Sequence, residues 1–79
     1  MFMKIEILLF GQVADLLNTS SVVIDVEGDT KALHDALLEQ FPQLANARYT
    51  MAVNKKTISV NTKLTEGSIV ALLPPFSGG

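Results

Sequence analysis

The residues with the most distinctive chemical prospects close the sequence, where Pro74-Pro75-Phe76-Ser77-Gly78-Gly79 follows an apolar run from Ile69 to Leu73. Proline lacks an N–H donor and fixes φ, so a ladder of strand hydrogen bonds stops at Pro74 and the backbone runs on extended. Gly78 and Gly79 have no side chain to pack and lose the most entropy on ordering, which makes them poor contributors to a fold. What they offer is slenderness. A carboxylate backed by two residues without Cβ can pass down a channel too narrow for anything else, and six extended residues reach ~20 Å. The expected reactive group is therefore the carboxylate of Gly79, presented to another protein's active site. Gly78 is then the spacer that permits entry, and Pro74 and Pro75 form a stiff stalk that reduces the entropy lost on insertion. A frayed end with no function is the other reading.

Composition removes most alternatives. With 79 residues the chain holds one domain, near the size at which a single core is barely sufficient. A hydrophobic content of 48% is generous for that length and implies either a very complete core or apolar surface reserved for a partner. There is no cysteine, so disulfides, thiolate metal sites and side-chain sulfur nucleophiles are excluded; the single His34 cannot build a multi-histidine metal site. A formal charge of −2 without blocks of like sign gives no nucleic-acid footprint and no basic membrane face. Met1-Phe2-Met3-Lys4 lacks the pattern of a cleaved leader, and no apolar run approaches membrane-spanning length, so a soluble cytoplasmic protein is expected.

The elements that must position the tail read as follows. Met3 to Phe10 alternates Lys4 and Glu6 against Met3, Ile5 and Ile7, then turns apolar on both parities, which fits a strand paired on both sides. Gly11 ends it, Val13 to Leu17 is long enough for a short helical turn, and Asn18-Thr19-Ser20 is turn chemistry. Ser21 to Val26, with Val22, Ile24 and Val26 on one parity, is a second strand, antiparallel to the first across a wide, partly helical loop. Thr30 is the expected N-cap of a helix from Lys31 to Phe41, with Leu33, Ala36, Leu37, Gln40 and Phe41 on its apolar face and Pro42 as its stop. His34 sits beside that face as a solvated or edge-packed residue, since no acid or nucleophile is spaced to partner it. Leu44 to Tyr49 is a loop, with or without a short helical turn. Met51 to Val53 and Thr57 to Val60 are short paired strands with Asn54-Lys55-Lys56 as the turn between them, where the two lysines read as a solvated hairpin tip, a phosphate or carboxylate site being the alternative. After a turn at Leu64 to Gly67, Ser68 to Leu73 is the last strand.

One long helix covers one face of a sheet, so the class is α+β. A last strand running parallel to the first, as a central pair, accounts for the apolar character of both parities in each. That arrangement is the β-grasp, or ubiquitin-like, fold: a mixed sheet of about five strands spanning residues 1–73, with 74–79 as an extended tail. If Ile5, Ile7 and Leu9 face the helix, Leu8 and Phe10 face away, and the last strand divides into Val70 with Leu72 and Ile69 with Leu73. Phe10 and Leu73, beside the root of the tail, are thus expected in an exposed apolar patch that docks a partner. A small satellite core beneath the Leu44 to Tyr49 loop is the alternative.

The chain resembles the small, sulfur-carrier subunit of molybdopterin synthase over its whole length. The likeness is carried by Leu9-Phe10-Gly11-Gln12-Val13-Ala14-Asp15-Leu16, by Ala52-Val53-Asn54, and by Leu64 to Gly79, in which the final strand runs straight into Pro-Pro, two residues and Gly-Gly. The resemblance implies that an ATP-dependent activating enzyme adenylates the carboxylate of Gly79 and that a sulfur-donating enzyme supplies the sulfur of a thiocarboxylate. The loaded tail, Pro74 to Gly79 with Phe76 and Ser77 between stalk and diglycine, then enters the large catalytic subunit and donates sulfur to a cyclic pyranopterin phosphate. It also implies a heterotetramer of two small and two large subunits, with no cofactor or metal held by this chain and ATP used only by the activating partner. An unactivated carboxylate is a poor acyl donor; adenylation supplies a leaving group, and the thio-acid sulfur is anionic and nucleophilic at neutral pH. On this reading the chain is a cosubstrate and not an enzyme by itself.

One departure stands out. Where the family often has Arg-Glu after the first strand, this chain has Ala14-Asp15, so affinity for a partner is expected to rest more on apolar contact, or on a partner changed in parallel. Open alternatives are a carrier for thiamine, tRNA thiolation or protein conjugation, and a ubiquitin-like binding module with an inert tail. A small enzyme is disfavoured by the lack of paired titratable groups.

Overall fold

Period-two alternation builds the first strand, β1 (Met3–Leu9), with Ile5, Ile7 and Leu9 buried and Lys4 and Glu6 exposed. The computed structural model describes residues 2–75; the expectations placed on Phe76, Ser77, Gly78 and Gly79 lie outside the described residues. After β1 the chain enters helix α1 (Gly11–Leu17), two residues earlier than expected, and buries Val13. Asn18 ends it in the left-handed conformation at φ 56, its N–H turned to the carbonyls of Ala14 and Asp15. Strand β2 (Ser21–Val26) then returns antiparallel to β1, in register from Met3↔Val26 to Leu8↔Ser21.

Helix α2 (Thr30–Gln40) buries Leu33 and Leu37, with Ala36, Leu38 and Phe41 packed at the edge of the core. Gln40, expected on the buried face, is exposed. The N-cap is Asp29 and not Thr30: the Asp29 carboxylate accepts from the Ala32 N–H at 3.0 Å. An anionic acceptor one residue earlier meets the positive end of the helix better than a hydroxyl does. Thr30 is instead buried, and its hydroxyl accepts the Thr62 N–H at 2.9 Å. Asn61 completes the junction, accepting from the Lys31 N–H and donating to Asp29 at 2.9 Å each.

A 3-10 turn (Pro42–Asn46) follows and drives Leu44 into the core. Strands β3 (Thr50–Val53) and β4 (Lys56–Thr57) form a tight hairpin. The expected strand through Val60 is cut short: the Ile58 N–H still reaches the Met51 carbonyl at 3.0 Å, after which the chain leaves to bring Asn61 and Thr62 to the start of α2. Ser68 is also not in the last strand. Its hydroxyl accepts the Thr65 N–H at 3.1 Å and its own N–H reaches the Thr65 carbonyl at 3.0 Å, so it closes a turn and β5 (Ile69–Leu73) begins after it.

The sheet order is β2-β1-β5-β3-β4, with β1 and β5 parallel at the centre and the other pairs antiparallel. This is the β-grasp. Among the described residues thirteen buried apolar ones form a core between the sheet and α2, including Ile5, Ile7, Leu9, Val70 and Leu72 from the central pair. Among the described residues no helix is long and apolar enough to cross a membrane.

Candidate docking face and tail root

The central pair decides what lies on each side of the sheet. Its register is Glu6↔Ile69, Ile7↔Val70, Leu8↔Ala71 and Leu9↔Leu72. Ile7, Val70, Leu9 and Leu72 are buried beneath α2, while Leu8, Ile69 and Ala71 point to the uncovered side. On that side a hollow of about 490 Å³ is floored by Leu8, Ala52 and Ala71 and edged by Phe10, Ile69 and Leu73, with Asn54, Lys55 and Thr57 along one rim. Phe10 is 45% exposed and Ile69 44%, whereas Leu73 is half-buried. The segment from Leu44 to Tyr49 does not roof this hollow: Leu44 joins the core on the helix side. The satellite-core alternative is therefore not what the fold builds.

The face is graded along the strands. Far from the tail it is ionic, with the exposed pair Lys4 and Asp25 at 3.5 Å on neighbouring strands. Near the tail it is apolar. Such a gradient suits a contact whose dry centre lies where the tail emerges and whose far edge remains wet.

Two contacts set the tail's point of departure. The Phe10 N–H donates to the Leu72 carbonyl at 3.1 Å, extending the β1–β5 ladder to the end of β5. Pro74 then lies on Gly11, whose φ is +60; a Cβ there would stand 2.7 Å from Pro74 Cγ. Pro75, on the other hand, borders a groove with Leu38, Leu44, Ala47 and Tyr49, and with His34 and Arg48 at its edge. Both prolines are exposed. The structure thus brings Phe10, Leu73, Pro74 and Pro75 to one end of the sheet. The role of Gly11 as the seat of Pro74 was not readable from its position after a strand, because the contact spans most of the chain.

His34 is edge-packed as expected, its ring centroid 6.0 Å from that of Tyr49. The Tyr49 hydroxyl is buried with no hydrogen-bond partner among the described residues, and burial pushes its pKa above the usual phenol value. The Asp29 carboxyl is held below its ordinary range, first by the Asn61 amide and then by the Ala32 N–H. Both belong to the scaffold. Among the described residues no three His, Asp or Glu side chains gather as metal ligands do.

The model of the ThiS family matches residues 7–79, and the chain belongs to that family. It is similar to the molybdopterin synthase sulfur carrier subunit of Escherichia coli (strain K12), 31% identical over 80 residues, covering 95% of this chain and 99% of the relative. Among solved structures it is similar to SAMP1 from Haloferax volcanii, with a TM-score of 0.80, 26% identity and coverage of 96% of this chain and 99% of that one. It is also similar to a chain in the complex of subunits 1 and 2 of molybdopterin-converting factor from Helicobacter pylori 26695. There the TM-score is 0.70 and the identity 30%, covering 98% of this chain and 100% of the other.

Proposed function

We propose that this chain is the sulfur-carrier subunit of a molybdopterin synthase. The carboxylate of Gly79 is adenylated by an ATP-dependent activating enzyme, with pyrophosphate leaving, and sulfur from a donor enzyme then displaces AMP to give a thiocarboxylate. The loaded tail enters the large catalytic subunit and passes its sulfur to a cyclic pyranopterin phosphate. Gly78 supplies the clearance, Phe76 and Ser77 the reach, and Pro74 and Pro75 the stiffness. Partners perform the catalysis, and loading that consumes ATP suits the cytoplasm. Two small and two large subunits make the assembly.

The observation that carries this reading is a juxtaposition. The tail's root, Pro74 and Pro75, leaves β5 at the apolar end of the uncovered face, beside Phe10 and Leu73. A partner seated over the hollow would have the tail delivered to it. The relative in Escherichia coli carries the same function in its name, and the Helicobacter pylori structure holds its subunit 1 together with a subunit 2. The likeness to SAMP1 favours a second reading, a carrier of the same chemistry that serves thiamine, tRNA thiolation or protein conjugation.

Intact-mass measurement after incubation with activating enzyme, ATP and a sulfur source tests the carrier chemistry. A shift equal to replacement of one oxygen by sulfur is expected, and an unchanged mass overturns it. A pull-down with the loaded chain separates the two readings: recovery of a large synthase subunit supports the first, recovery of other acceptors the second.

A further inference from the structure

The hairpin between β3 and β4 is held in a conformation that its own sequence resists. It turns in two residues, Asn54 and Lys55, with φ 50 and 73. Positive φ at both central positions is the pattern of a type I′ turn, for which Asn-Gly is the favoured pair. Asn54 fits; a lysine in the second position carries the steric penalty of a Cβ in left-handed backbone, which glycine avoids. The fold also fixes where this tip lies. The Asn54 N–H donates to the Ile69 carbonyl at 2.8 Å, and the Asn54 side-chain oxygen accepts the Ile69 N–H at 2.9 Å, which clamps the turn to the start of β5. Lys55 is thereby stationed on the rim of the apolar hollow, beside Ile69. Strained residues persist where the surroundings enforce them, and they concentrate at sites of function.

Among the described residues nothing uses the charge. No acid among them pairs with Lys55, and the ion pair on this face, Lys4 with Asp25, lies across the sheet on β1 and β2, toward the other edge. Glu6, two strands across, makes no ion pair with it. The neighbouring Lys56 is placed differently. It pairs opposite Val53, whose side chain is in the core, so Lys56 stands on the other side of the sheet.

Resting on the docking reading above, we propose that Lys55 is a specificity-determining contact of the uncovered face, pairing its ammonium with a carboxylate of the protein that covers the hollow. A single cation on a long apolar stem at the edge of an apolar floor suits one acid flanking an apolar contact. Its stem covers the floor while the ammonium stays at the rim. The charge steers encounter and rejects partners with a basic residue there, while Phe10 and its neighbours supply the adhesion.

The test is the rate and strength of association with the purified large subunit of the same organism's molybdopterin synthase, at about 50 mM and about 500 mM salt. Lys55→Glu should weaken binding by ~tenfold at low salt, chiefly through a slower on-rate, and the gap should narrow at high salt. Lys55→Gly should weaken binding while raising the melting temperature, since glycine relieves the turn. A merely structural lysine cannot move those two readouts in opposite directions. Lys56→Glu should change neither. The proposal is overturned if both Lys55 variants bind like the unmodified chain while Phe10→Asp does not bind. If the unmodified chain itself fails to bind, the docking reading falls, and this inference with it.

Discussion

The two faces of the sheet are built from the same strands and differ in what covers them. Ile5, Ile7, Leu9, Val70 and Leu72 are at most 3% exposed beneath α2, whereas Leu8, Phe10, Ile69 and Leu73, interleaved with them, line a hollow that no described element closes. Apolar residues on both parities of a strand are usually explained by burial on both faces. Here the one long helix, α2, covers one face and no described element covers the other, so the second set is surplus to the core and suits the proposed role of surface kept for another molecule. Stability belongs to one face, and on the proposed reading association belongs to the other.

The largest expected effect falls on the tail that emerges between them. Adding one residue after Gly79, or replacing Gly78 by a bulky residue, should abolish sulfur transfer with no change in melting temperature; undiminished transfer by either variant removes the carrier mechanism. The faces themselves are separated by two adjacent residues. Ile7→Ala should cost about 2–5 kcal/mol in denaturant unfolding, while Leu8→Ala, across the sheet, should leave unfolding nearly unchanged and weaken docking instead. Equal losses of stability from both would erase the distinction. Phe10→Asp should reduce partner affinity by roughly a hundredfold or more, as loss of a central apolar anchor does, with an unaltered circular dichroism spectrum.

Smaller effects concern the scaffold. Asn61→Ala removes three hydrogen bonds at the start of α2 and should cost about 1–2 kcal/mol, without touching docking. The pKa of Asp29 is depressed in the folded chain, so its contribution is complete above the unfolded carboxylate pKa and is lost as pH falls through the lower, folded value. Asp29→Asn should lower stability near neutrality and flatten that acid limb of the stability profile, so that the variant and the unmodified chain converge as pH falls through the folded value.

Much of this division was legible in the sequence, because the period of two is a direct record of which side chain faces which side. The switch of Met3 to Phe10 from alternating to wholly apolar was enough to put the first and last strands together at the centre, and the split of Ile69 to Leu73 was enough to place Leu73 with Phe10. What escaped were features set by distant partners. Thr30 and Asp29 are both good caps, and the choice between them depends on Asn61 and Thr62 arriving from more than thirty residues away. The strand through Val60 was cut short for the same reason. Lys55 and Lys56 are exposed, as a solvated tip should be, but the positive φ of Lys55 was hidden because residue type says nothing about the sign of φ, and the seat of Pro74 on Gly11 joins positions far apart in the chain.

The placement of β5 has a mechanical consequence. The tail continues from a strand flanked on both sides, by β1 running the same way and β3 running against it, so tension applied to the tail acts along the strand axis. Both ladders are then loaded in shear, and their bonds must yield together instead of opening one by one as at a free edge. A machine that grips and draws on this end meets a body that does not unravel, and it can release the end without having damaged what holds it.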